Sequence, residues 1–302
     1  MSAMLLIANS LLAALALIMF GLGLSLTRAD FARVAKYPKA VVVALTVQML
    51  LLPLASFTIA QAFDLPPALA IGLVILAAAP GGISANMLSH LFGGNVAMNI
   101  TLTAVNTLLS IISIPIVVNL GIHVFAGDGS IVAVPPGKVV EVIVMVLIPV
   151  ALGMAVAARF PSLAARADRP VRLFSTVVLV VVVLLSVYSQ RESVMASLAQ
   201  LGLPVLLFNV FGLAAGYGLS RWVRLDRPLA TAIAFEVGIQ NSTLAIYIAV
   251  ALLGDFAFSL PTSVYSIVMY LTAPVFGMLC RRGNLSARMA QPDHLHNRGP
   301  LT

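Results

Sequence analysis

A chain of 302 residues that is 61% hydrophobic and only 9% charged, with mean hydropathy +1.08, cannot hide its apolar surface in a water-soluble core. Lipid must serve as its solvent, so it reads as an all-α integral membrane protein, not as a soluble enzyme or a nucleic-acid binder. The single cysteine, Cys280, excludes an internal disulfide and a cysteine-based metal cage, and the net charge of +7 is explained by membrane topology.

Nine apolar segments follow in chain order, at about 4–26, 40–62, 68–92, 96–122, 138–158, 171–190, 202–220, 229–252 and 262–280. The first is long enough to span, is followed at once by charge, and has neither a basic leader nor a small-residue cleavage site, so it is read as a retained span. Alternate connections hold the basic residues. Arg28, Arg33, Lys36 and Lys39 follow the first span, Arg159 to Arg172 the fifth, Arg221 to Arg227 the seventh, and Arg281 to Arg298 the last. The other side has only Lys138 and Arg191, while Asp64, Asp128, Glu192 and Asp255 collect there. This asymmetry predicts an outside amino terminus and a cytoplasmic carboxyl terminus. The short connections suggest a bacterial chain in the cell inner membrane. Residues 1–282 read as one transmembrane unit and the polar stretch 283–302, with Pro292 and Pro300, as a disordered tail.

Span three contains Ala79-Pro80-Gly81-Gly82-Ile83-Ser84-Ala85-Asn86, where proline removes a backbone donor and two glycines relax the chain. Span eight contains Glu236-Val237-Gly238-Ile239-Gln240-Asn241, a carboxylate and two amides inside an apolar run. A charged side chain at a helix centre costs roughly 2.5–3.5 kcal/mol, so an intramembrane Glu is a functional-site hypothesis by default. Five positions apart in the order of spans, the two interruptions cross in opposite directions. Paired interruptions of this kind predict an inverted repeat, spans one to four matching six to nine, with a site at the midplane.

Span four adds Asn99, Thr103, Asn106 and Ser110, which share one helical face, and span two contributes Gln48. Alone, the proline and glycines read as a kink, and the stripe reads equally as helix glue or as an ion site. Together with Glu236 they form an oxygen-rich set suited to a small hard cation, and the ends of broken helices suit an anionic cargo. Glu141, at the outer end of span five, reads as a residue that snorkels or meets Lys138, and the histidines have no metal-ligand spacing.

Pro80-Gly81-Gly82, Asn86, Gly94-Asn95-Val96-Ala97, Thr103 and Glu236-x-Gly238-x-Gln240-Asn241-Ser242 resemble the bile acid:sodium symporter family, over nearly the whole chain. The resemblance implies a fold with two broken crossing helices, no enzymatic activity, and Na+ as coupling ion for an organic anion. The core would comprise the broken helices at about 68–92 and 229–252 with 96–122 and 262–280, and the panel would draw on about 4–62 and 138–220. One sodium site would use Asn86, Asn99, Thr103 and Glu236, with Ala85 where relatives have a serine. The second would use Gln48, Glu236, Gln240 and the carbonyls of Val237 and Ile239. Gly82, Ile83 and Asn241 would face the substrate, and Met269 stands where some relatives have a histidine. Candidate cargoes are bile-acid-like molecules or small carboxylates such as pantoate or a 2-oxoacid. Rival readings are a proton-coupled carrier, an efflux permease of the same superfamily, and a membrane-embedded enzyme or sensor. The efflux reading expects a cysteine in a broken helix, and the enzyme reading expects His-Glu-x-x-His or a serine with a histidine partner; neither pattern occurs in the spans.

Overall fold

The structure is a computed structural model that describes residues 3–127, 136–167 and 191–289, with residues 170, 173, 174, 177 and 181. Among the described residues all regular elements are helical. The sixth predicted span falls almost wholly outside them, as do Asp128, Arg169, Arg172 and residues 290–302 of the expected tail.

The first apolar run is α1 (Ala3–Ser25). The basic stretch after it, expected only as a connection, is itself a helix, α2 (Arg28–Lys36), bent by 70° from the end of α1. Its start is fixed by Asp30, whose carboxylate accepts from the N–H and hydroxyl of Thr27 and pairs with Arg33. Span two is α3 (Pro38–Thr46), a π turn (Val47–Leu51) and α4 (Leu52–Ala62). Pro53 lacks the N–H that an α-helix requires and crowds the carbonyl four residues earlier, which accounts for a π turn just before it.

Each interrupted span is two short helices. These are α5 (Pro67–Ala78) with α6 (Ile83–Leu91), and later α10 (Arg227–Gly238) with α11 (Ser242–Tyr247). Between them run α7 (Val96–Phe125), α8 (Pro136–Arg159) and α9 (Arg191–Trp222), and the last helix is α12 (Leu260–Met289). Thus α12 continues beyond the expected tail boundary at 283, with no proline between that boundary and Pro292 to stop it. Among the described residues four helices are long and apolar enough to cross a membrane, five if α1 and α2 form one bent span. The broken helices escape that test because each half is short.

On α7 an apolar stripe faces outward and a polar one is buried. Leu108, Ile112, Ile116 and Leu120 are exposed, whereas Asn99, Thr103, Asn106 and Ser110 are buried. Lipid therefore faces one stripe while the amides look inward. Helices α1 and α8 touch through Gly23 and Gly153, where a Cβ on either would strike the other's backbone. Residues 69–82 and 229–250 are buried throughout, so the two broken spans form the centre around which the others pack.

Candidate functional site

Where the two spans break, their unwound segments satisfy each other. The Gly82 N–H donates to Ile239 O at 2.8 Å, the Asn241 N–H donates to Pro80 O at 2.8 Å, and Gly81 pairs antiparallel with Gln240. This two-residue ladder supplies the partners that helical geometry would have supplied, and its burial in protein makes irregular backbone tolerable at membrane depth. Beyond the crossing, α6 starts at Ile83 and α11 is capped by Asn241, whose Oδ1 accepts from Leu244 N at 3.1 Å.

Glu236, two residues before the end of α10, is fully buried. Its carboxylate accepts from Thr103 Oγ1 at 2.6 Å, from Asn106 Nδ2 at 2.9 Å and from the Gly81 N–H. All three donors are neutral, and among the described residues no basic group pairs with it. Gly81 must lack a side chain here, because a Cβ would land on the Glu236 carboxylate.

The other predicted residues surround this carboxylate at the crossing or flank it. Asn99 Nδ2 donates to Ala232 O on α10 at 2.6 Å. Gln48 Nε2 donates to Ala79 O at 2.8 Å and Ala77 O at 3.2 Å, holding the end of α5. Gln240 Nε2 donates to Val237 O at 2.6 Å and approaches Gln48 Oε1 at 3.4 Å. Ile239 O is engaged by Gly82 N–H, and Met269 is buried on α12. No hydrogen bond joins Asn86 to this set, and its Oδ1 has no partner.

A pattern runs through these amides. Among the described residues, Asn86 Oδ1, Asn99 Oδ1, Asn106 Oδ1 and Gln240 Oε1 are all buried without a hydrogen-bond partner. Buried polar atoms are nearly always paired, so four carbonyl oxygens left unpaired on the elements around one carboxylate are groups that could ligate a cation. Among the described residues no three His, Cys, Asp or Glu side chains gather. With one negative charge and otherwise neutral oxygens, the set suits a monovalent ion better than a divalent one.

The sequence description of the sodium bile acid symporter family matches residues 12–197. The chain belongs to this family. It is 31% identical over 254 residues to the sodium-dependent transporter YocS of Bacillus subtilis, covering 84% of this chain and 77% of that one. It is 28% identical over 232 residues to the ileal sodium/bile acid cotransporter of Homo sapiens, covering 76% and 66% of the two chains. A third relative, the probable chloroplastic sodium/metabolite cotransporter BASS1 of Arabidopsis thaliana, is 25% identical over 275 residues, covering 91% and 67%. The protein is therefore a multi-pass membrane protein of a sodium-dependent transporter family, and its relatives are transporters, not enzymes.

Sequence reasoning passed over three features of this site. Asn106 was visible in the α7 stripe, yet nothing in its spacing says that it, with Thr103, holds the carboxylate. Asn209 and Tyr265 both bond Gly238 O, and their only sequence signal is an isolated amide and a phenol inside apolar runs. Glu141, expected beside Lys138, accepts from Tyr247 Oη at 3.3 Å and so reaches the second broken span. Replacing Asn106 by Leu removes a hydrogen bond to a charged group. It should lower the unfolding free energy without Na+ by about 1.5–3 kcal/mol, measurable by unfolding of purified protein in detergent.

Proposed function

We propose that the protein is a symporter that carries an organic anion with Na+ by alternating access, built as nine spans in an inverted repeat. The observation that carries this reading is Glu236, fully buried, held only by neutral donors and flanked by unpartnered amide oxygens. Na+ neutralises the carboxylate and draws in those oxygens. The first sodium site draws on Asn86, Asn99, Thr103 and Glu236; the second draws on Gln48, Gln240, Glu236 and the carbonyls of Val237 and Ile239. A proton in place of Na+ would leave the amide oxygens largely unsatisfied, since a protonated carboxyl offers a single donor. That favours Na+ over proton coupling.

The inverted repeat gains support from the way each break is held. Gln48 on span two bonds the carbonyl two residues before Gly81, and Asn209 on span seven bonds the carbonyl two residues before Gln240. Gly81 and Gln240 are the residues that pair at the crossing, so the two amides occupy equivalent places in the two halves. Under that correspondence Ala77 answers to Glu236, which leaves one carboxylate for the whole site.

In this reading α1 and α8 belong to the panel, and α7 belongs to the core with the broken helices. An apolar cavity of about 120 Å³, lined by Leu22, Phe31, Leu108, Leu147 and Met154 among others, lies between α1, α2, α7 and α8, and the proposed movement opens this seam. Na+ fixes the broken helices and so favours the closed, loaded state. The anion meets Asn241 and the backbone around Gly82 and Ile83 at the crossing. Bile-acid-like molecules and small carboxylates such as pantoate or a 2-oxoacid are the cargo classes in view, in line with relatives named for bile acid and for metabolite cotransport. The amino terminus faces outward and the carboxyl terminus the cytoplasm of a bacterial inner membrane.

Uptake of such acids into proteoliposomes should require an inward Na+ gradient. With two Na+ per monovalent anion, it should rise with an inside-negative potential, each 100 mV adding about 2.3 kcal/mol per net charge. Uptake driven equally well by a pH gradient without Na+ would overturn the reading, and transport driven only outward would assign the chain to the efflux class.

A further inference from the structure

The second break is held by three side chains that no sodium ligand set includes, two of them buried and the third half-buried. Gly238 ends α10 between the two residues, Val237 and Ile239, whose carbonyls the proposed second sodium site uses. Its own carbonyl accepts from Asn209 Nδ2 at 2.9 Å and from Tyr265 Oη at 2.7 Å. The second Asn209 amide proton goes to Tyr265 Oη at 3.0 Å, and Asn209 Oδ1 accepts from Thr272 Oγ1 at 2.5 Å. Asn209 and Tyr265 are buried, on α9 and α12 respectively, and Thr272 is one to two turns beyond Tyr265 on α12.

This network has one self-consistent proton arrangement. Gly238 O can only accept, so the Asn209 amide nitrogen faces it and Tyr265, and Asn209 Oδ1 is left toward the Thr272 hydroxyl, which also reaches Val268 O at 3.0 Å and Met269 O at 3.3 Å. A nitrogen in that position cannot accept, so the phenol proton points to Gly238 O. The amide and phenol protons are committed, and a buried network held this way is rigid. At the other break, among the described residues, the equivalent carbonyl, Ala79 O, receives only the Gln48 amide.

We propose that Asn209, Tyr265 and Thr272 form a positioning clamp. By binding Gly238 O to α9 and α12, the clamp withholds that carbonyl from the cation and fixes where Glu236, Val237, Ile239 and Gln240 stand. None of the three residues ligates Na+; they set its affinity by presetting the turn that does. Because the clamp bridges two further spans, any shift of α12 against α9 is transmitted to the carboxylate two residues away. The inference rests on the sodium reading given above.

The test uses the full-length protein in detergent. Thermal unfolding is followed across NaCl concentrations, with choline chloride holding ionic strength constant, for the parent and for Tyr265→Phe, Thr272→Val and Thr272→Ser. Tyr265→Phe keeps the ring and deletes one hydroxyl. It should raise the Na+ concentration for half-maximal stabilisation up to about tenfold, in addition to the modest fall in unfolding temperature that one lost buried hydrogen bond causes with or without Na+. Thr272→Val should move the Na+ midpoint in the same direction and by less, and Thr272→Ser should restore it. In proteoliposomes the same variants should shift the Na+ dependence of uptake more than its maximal rate. An unchanged Na+ midpoint in Tyr265→Phe, with unfolding temperature lowered equally at all salt concentrations, would reduce the clamp to ordinary packing. A parent protein whose unfolding ignores Na+ would instead remove the sodium reading, and the clamp with it.

Discussion

Glu236→Gln should abolish Na+-dependent uptake and Na+-dependent stabilisation while leaving the protein folded. The substitution keeps the side chain's size and deletes its charge. Gln can still accept from the Thr103 hydroxyl, which lies 2.6 Å from the carboxylate. Its new amide protons face Asn106, whose unpartnered Oδ1 can turn to accept one of them. The fold therefore loses little, and it sheds a buried charge whose placement at membrane depth costs roughly 2.5–3.5 kcal/mol. The same charge is what makes cation binding favourable there. Removing it should weaken Na+ about a hundredfold, since 1.4 kcal/mol corresponds to a factor of ten. Thermal unfolding with and without NaCl, read beside uptake, separates the two effects. A Gln variant that unfolds at the parent temperature or above but ignores Na+ is the expected result; one with parental Na+ dependence would mean that the cation binds elsewhere.

Both interruptions of the fold were legible in the sequence because each violates the pattern around it. Proline with two glycines, and a carboxylate with two amides, stand out inside runs that are otherwise apolar. The α7 stripe was legible for the same reason, through its period. What could not be read was how these segments meet. The ladder that joins Gly82 to Ile239 and Asn241 to Pro80 links residues far apart in the chain, and nothing local encodes its register. The same holds for Asn209 against Gly238 and for Tyr247 against Glu141. Helix α2 was missed for a different reason: its charges identify a membrane face, and a charge count cannot tell a surface helix from a loop. The lone amide in span seven reads as packing until the carbonyl it holds is known.

Gly81→Ala should be strongly disruptive, and Gly82→Ala a mild change. The contrast follows from what each added carbon would meet. At Gly81 it would fall on the side chain of Glu236 and on that residue's backbone oxygen, whereas at Gly82 the nearest atom is Gln240 O at 3.3 Å. Overpacking a filled interior costs typically 1–3 kcal/mol when neighbours can shift. Around Gly81 they have little room, because its N–H donates to the carboxylate and its segment is fixed on the opposite strand of the crossing. Gly81→Ala should therefore lower the unfolding temperature and remove the response to Na+ together. Gly82→Ala, which retains the N–H that bonds Ile239 O, should keep both close to parental values. The cause can be isolated by truncating the obstacle: in the double variant Gly81→Ala, Glu236→Ala the side-chain overlap is gone and only the backbone oxygen, 2.6 Å from the new carbon, still opposes it. Stability should then recover in part with no Na+ response at all. A double variant no more stable than Gly81→Ala alone would show that the crossing of the two backbones, not the carboxylate, is what excludes a side chain at position 81.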